Sequence, residues 1–185
     1  MKKLLLLTLL SISLCSFGQD KPTTKFIKNE YKINALELIA GAFDVGYEHV
    51  LNEESALGVS LFLPISDGFD TKFMLTPYYR YYFGAKPASG FFMEGFGCLN
   101  AMEDEVFIYT PNLDPAFYDY QLKQINITDF AFGIGLGGKW ISKKGVTFEL
   151  NLGVGRNLFS KYNDNNYDRM YEVIGRGGIS VGYRF

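Results

Sequence analysis

The places where this 185-residue chain could do chemistry are few. A Ser/His/acid relay needs an imidazole, and His49 is the single histidine. It is followed by Val50 and Leu51, and the nearby Ser55 and Ser60 carry no nucleophile motif. It reads as an interfacial histidine in an aromatic belt, so no catalytic residue is expected. Asn163-Asp164-Asn165-Asn166-Tyr167-Asp168 is rich in oxygen ligands for Ca²⁺, as is Glu103-Asp104-Glu105 with Asp114 and Asp119. The first run lacks the glycine and closing glutamate of an EF-hand loop, and polar external loops are acidic anyway. Neither a metal nor any other cofactor is expected. The sets Gly133-x-Gly135-x-Gly137-Gly138, Gly153-x-Gly155 and Gly175-x-Gly177-Gly178 lack the following helix of a dinucleotide fingerprint. They suit a narrow interior where glycine makes room for larger neighbours. The strongest candidate for contact with a partner is the segment Glu103–Lys123, expected to be an external loop, with Phe107, Tyr109, Phe117, Tyr118 and Tyr120.

The elements that must position these residues are strands. Residues 171–185 read YEVIGRGGISVGYRF. Tyr171, Val173, Ile179, Val181, Tyr183 and Phe185 fall on one face; Glu172, Arg176, Ser180 and Arg184 fall on the other. The same period of two recurs upstream. The expected strands are 30–39, 43–51, 56–65, 71–83, 91–102, 124–141, 145–159 and 171–185. Two registers carry irregularities. Pro77 inside the fourth strand calls for a bulge, and Phe92 and Phe96 point inward with Glu94 in the fifth. The charges Glu48, Arg80, Glu94, Asp129, Lys139, Glu149, Glu172, Arg176 and Arg184 share the face opposite the apolar one. Both signs are present, so an ion-pair network is expected inside a barrel of eight strands, whose interior is just wide enough for side chains to fill.

Composition agrees. The chain has 13 Tyr, 17 Phe and 20 Gly, and 17% of its residues are aromatic. Lys2 and Lys3 precede an apolar run from Leu4 to Leu14, too short to span a bilayer as a helix, and Ser16-Phe17-Gly18 supplies small residues for cleavage. Residues 1–18 are therefore expected to be a signal peptide, 19–29 a periplasmic leader and 30–185 one barrel. Removing Lys2 and Lys3 leaves 16 basic against 20 acidic residues, which gives no footing for nucleic acid. With Cys15 removed, Cys98 has no partner for an intramolecular disulfide. The expected fold is an all-β, eight-stranded antiparallel up-and-down transmembrane β-barrel. Its short links after strands two, four and six fall on one side and its long ones on the other, as in outer-membrane barrels.

With these strands and the terminal Ile179-x-Val181-x-Tyr183-x-Phe185, the chain resembles small bacterial outer-membrane β-barrels. The stretch KINALELIAGAFDVGYEHVLNEESALGVSLFLP, with TPYYRYYFG and FFMEGFG, resembles more narrowly a Bacteroidetes outer-membrane barrel family of unknown function. The resemblance implies that the barrel-assembly machinery reads Ile179, Val181, Tyr183 and Phe185 as an assembly signal. It supplies no catalytic residues. The expected protein is a non-enzymatic monomer in the outer membrane, with membrane lipid as its partner and a structural or surface-interaction role through its external loops. Alternatives are a narrow channel for small or hydrophobic solutes and an envelope lipid-modifying enzyme that depends on His49.

Overall fold

The computed structural model describes residues 28–110, 119–159 and 172–185. Eight strands form a closed antiparallel barrel in chain order: β1 (Asn29–Asn34), β2 (Ala42–Val50), β3 (Ser55–Pro64), β4 (Thr71–Tyr82), β5 (Gly90–Thr110), β6 (Asp119–Ile141), β7 (Val146–Asn157) and β8 (Val173–Arg184). The expected signal peptide, residues 1–18, lies outside the described residues, as do Tyr171 and the Asn163–Asp168 run.

Closure follows from the alternation. Tyr31, Phe43, Leu57, Tyr79, Phe91, Phe132, Leu152 and Tyr183 all point outward and are exposed. Their sequence neighbours include the inward-pointing, buried Glu30, Ala42, Arg80, Phe92, Ala131 and Arg184. β1 joins β8 through five register pairs from Glu30↔Arg184 to Asn34↔Ser180. At that seam Phe185 stacks on Tyr31 with ring centroids 5.3 Å apart. Phe185 N donates to Asn29 O at 2.8 Å. Over these five pairs the two strands leave no open β-sheet edge between them.

Three elements differ from the sequence expectation. The first strand does not run to Ile39. It stops at Asn34, and a short helix, α1 (Ala35–Ala40), follows. The Asn34 side chain accepts from Glu37 N, and Gly41 ends the helix with φ 97°, a left-handed conformation that costs glycine little. Ala-Leu-Glu-Leu-Ile-Ala has high helix propensity, which here outweighs its weak alternation. Second, residues 103–123 are not a loop throughout. β5 and β6 pair continuously out to Thr110↔Asp119, including Phe107↔Leu122 and Tyr109↔Tyr120. Each hydrogen-bonded pair added to this two-stranded ladder satisfies two backbone N–H and two C=O groups, so the hairpin extends beyond the other strands. Phe117 and Tyr118 lie outside the described residues. Third, Pro77 causes no bulge. The β3–β4 register runs unbroken through Val59↔Pro77, and the irregularity falls between Thr71 and Phe73. Proline's fixed φ is compatible with extended backbone, and it removes one ladder donor.

Candidate functional site

The interior is organised by charge. β1 contributes Glu30 and Lys32, β2 Glu48, β4 Arg80, β5 Glu94, β6 Lys139, β7 Glu149, and β8 Arg176 and Arg184. Each arises from the inward half of a two-residue period. Near the barrel axis Glu48 accepts from Lys139 Nζ at 2.5 Å, Arg80 at 2.9 Å and Lys32 at 3.2 Å. Tyr82 and Tyr78 hydroxyls donate to the same carboxylate at 2.8 and 3.2 Å. Glu149 takes a two-pronged contact from Arg80 at 2.7 and 2.8 Å and a bond from Lys32 at 2.9 Å. Glu94 is shared by Arg80 at 2.6 Å and Arg176 at 2.8 Å. Glu30 pairs with Arg184 at 2.9 Å and Lys139 at 3.1 Å. Each glutamate thus faces at least two cations. Ionised groups in a low-dielectric interior persist only with such compensation. The guanidinium of Arg80 also lies 4.4 Å from the Tyr78 ring centre and 4.2 Å from that of Phe92.

Below this network, at the end that carries Asn29 and Phe185, the interior is filled. Val50, Ala56, Tyr82, Ala88 and Phe92 pack into one buried cluster. The turn between β4 and β5 folds across the mouth. Ala88 adopts φ 44° and is buried there. Arg184 donates to Pro87 O and Ala88 O, each at 2.8 Å, and Ala88 N donates to Glu53 O at 2.8 Å. The left-handed conformation of a non-glycine residue is held by these bonds.

Above the network the interior opens into a cavity of about 200 Å³. Lys32, Glu37, Asp44, Arg176, Phe62 and Met74 are among its walls. Arg176 also donates to Ser60 Oγ at 3.2 Å. Asn34 Nδ2 donates to Asp44 Oδ2 and to Gly177 O, each at 3.1 Å. The Glu37 carboxyl is raised above the ordinary range by partial burial and then by the Asp44 charge beside it. The arrangement can hold polar or charged groups at the cavity walls. Nothing in it resembles a nucleophile activated by a base. His49 sits on the outer face, its Nδ1 2.8 Å from Asn29 Oδ1, which also accepts from the Tyr47 hydroxyl at 2.9 Å. Among the described residues no group of three or more His, Cys, Asp or Glu side chains is placed to hold a metal.

Of the nine charges assigned to the interior from sequence, Glu48, Arg80, Glu94, Lys139, Glu149, Arg176 and Arg184 meet in this network. Asp129 is buried toward the opposite rim, where it accepts from Phe159 N at 2.9 Å and Phe130 N at 2.6 Å. Glu172 is not interior. It precedes β8 at the rim and pairs with the exposed Arg156 at 3.4 Å. Strand alternation there has not yet begun, so parity carries no information about its direction. Glu30 and Lys32 were missed, although Glu30-Tyr31-Lys32-Ile33-Asn34 alternates cleanly. Ile179, Val181 and Tyr183 line the outer face of β8, and Phe185 follows it at the seam. For Phe107, Tyr109 and Tyr120 the backbone pairing is described.

A family described as a protein of unknown function (DUF3575) matches residues 4–178. The chain belongs to that family. No curated protein matches. Among solved structures, the crystal structure of the N-terminal β-barrel domain of Pseudomonas aeruginosa OprF is similar. The identity is 16%, the TM-score 0.52, and the match covers 85% of this chain and 97% of that one. At that identity the similarity concerns the fold alone, a closed β-barrel.

Proposed function

We propose, with that family membership and barrel fold as premises, that the protein is a non-enzymatic integral barrel of the bacterial outer membrane. Its role is structural or in surface interaction rather than transport. The ion-pair network across the interior carries this reading. It puts side chains from seven strands where a pore would run, above a floor of packed Tyr82, Phe92 and Ala88. The outward band of Leu, Ile, Val and aromatic side chains suits lipid, and a charge on that face would be costly. Short turns at the end carrying Asn29 and Phe185 fit the periplasmic side, with residues 1–18 as the signal peptide and 19–29 as the leader. Ile179, Val181, Tyr183 and Phe185 then form the assembly signal for the barrel-assembly machinery. The finished protein is a monomer, and a Bacteroidetes source fits the narrower resemblance. Planar-bilayer recording tests the role: the refolded protein gives no steady single-channel current, and regular conductance steps would overturn the reading in favour of a channel.

A further inference from the structure

The barrel wall is incomplete on one side. β1 has 6 residues, whereas β8 has 12 and β2 has 9. Register with β1 covers β8 from Ser180 to Arg184, so among the described residues Val173–Ile179 have no β1 partner. On the other flank Ala42, Phe43 and Asp44 extend past the last β1–β2 pair, Ile33↔Val45. A notch therefore interrupts the sheet above Asn34. Helix α1 sits at it, and the Asn34 side chain spans it with its bonds to Gly177 O on β8 and Asp44 on β2. The cavity reaches the same place, since Asn34, Glu37, Asp44, Gly175 and Gly177 are among its lining.

The helix has two unlike sides. None of its residues is buried. Leu36, Leu38 and Ile39 are exposed, Ile39 at 85%. Glu37 instead faces the cavity. The exposed apolar side chains continue onto Phe43, Leu63 and Ile65, and so into the apolar outer band of β2 and β3. Water is a poor medium for such a surface. Within the notch the charges are laid out by sign. Glu37 and Asp44 lie at its mouth, while Lys32 and Arg176 stand where the cavity meets the network. Space of about 200 Å³ suits a compact group.

We propose that the notch is a lateral binding site for a single-chain amphiphile with a compact zwitterionic head. The ammonium end meets Glu37 and Asp44. The anionic end meets the positive charge of Arg176 and Lys32, both of which line the cavity. The acyl chain leaves through the gap beside β8 and lies along Leu36, Ile39 and Phe43. The proposal rests on the outer-membrane reading, because the chain needs a hydrocarbon layer to enter.

Native mass spectrometry of the full chain in maltoside micelles tests it, with lysophosphatidylethanolamine as the probe. One molecule is retained per barrel. Lysophosphatidylglycerol of equal chain length, which lacks the ammonium, binds about tenfold more weakly, as does glycerophosphoethanolamine, which lacks the chain. Asp44→Asn and Ile39→Asp each weaken retention about tenfold. Trp140→Phe, on the outer face of β6, leaves it unchanged. Equal binding of both lysolipids, several equivalent adducts, or insensitivity to both notch variants overturns the proposal. Heat-modifiable gel mobility separates the two failures. A barrel with shifted mobility and no selective binding sinks the lateral site alone, whereas absence of the shift sinks the membrane reading and the site with it.

Discussion

Glu48 is the residue on which the interior turns. Three cations and two tyrosine hydroxyls converge on its carboxylate. Glu48→Gln keeps the shape and removes the charge, leaving Lys32, Lys139 and Arg80 with less compensation than they need. Breaking a buried ion pair from one side costs about 3–5 kcal/mol. The urea midpoint of the variant refolded into lipid vesicles should fall accordingly; an unchanged midpoint would show the cations solvated from the cavity. Glu37 responds in the opposite sense. Its carboxyl is raised, so the folded chain holds that proton more tightly than the unfolded one. Stability from this group is present at acid pH and declines as pH rises through the raised value. Glu37→Gln should stabilise the barrel at neutral pH, and the gain should vanish once the pH falls below the usual carboxylate range. Most interior charges could be read from the sequence, because in a strand parity alone assigns a face. Glu172 could not, since parity has no meaning before the ladder starts. Neither could the partners of Glu48, because pairing across the lumen joins it to a residue 91 positions away.

At the scale of elements, glycines set how closely strands and inward rings approach. A Cβ on Gly58 would enter the Tyr78 ring, whereas one on Gly95 would meet nothing within 4 Å. Gly58→Ala should therefore cost about 1–3 kcal/mol through overpacking, and Gly95→Ala should leave the denaturation curve in place. Comparable shifts in the two variants would mean that the ring of Tyr78 moves freely. Helix α1 depends on Asn34, whose side chain caps it and ties it to both flanking strands. Asn34→Ala should cost about 1 kcal/mol for the cap alone. Strands were legible where the alternation was long, as in β6 and β7. The helix was not, because six residues offer less than two helical turns of pattern, and its apolar side chains do not face a core. The paired extension of β5 and β6 was hidden by Glu103-Asp104-Glu105, which looks like loop chemistry. What fixes its structure is its partner strand, and a single sequence does not print that pairing.

For the whole molecule, closure is the decisive event, since β1 and β8 come from opposite ends of the described chain and meet over only five register pairs. Removing Phe185 deletes the ring stacked on Tyr31 and the bonds between Phe185 and Asn29. Membrane-inserted protein should drop sharply in fractionation of cells that express the shortened chain, with the full-length level retained when Leu158 is changed to Ala instead. Normal insertion without Phe185 would remove it from the assembly signal. The barrel as a whole was foreseeable because eight similar periods admit few other solutions; the notch was not, because it reflects a difference in strand length. One more consequence belongs to the long hairpin. β5 continues for eight residues, Glu103 to Thr110, past its last pair with β4 at Met102. At about 3.4 Å per residue that is a ladder of roughly 27 Å standing clear of the rim. On the outer-membrane reading proposed above, this arm is, among the described residues, the first part of the protein that a large body approaching that rim would meet.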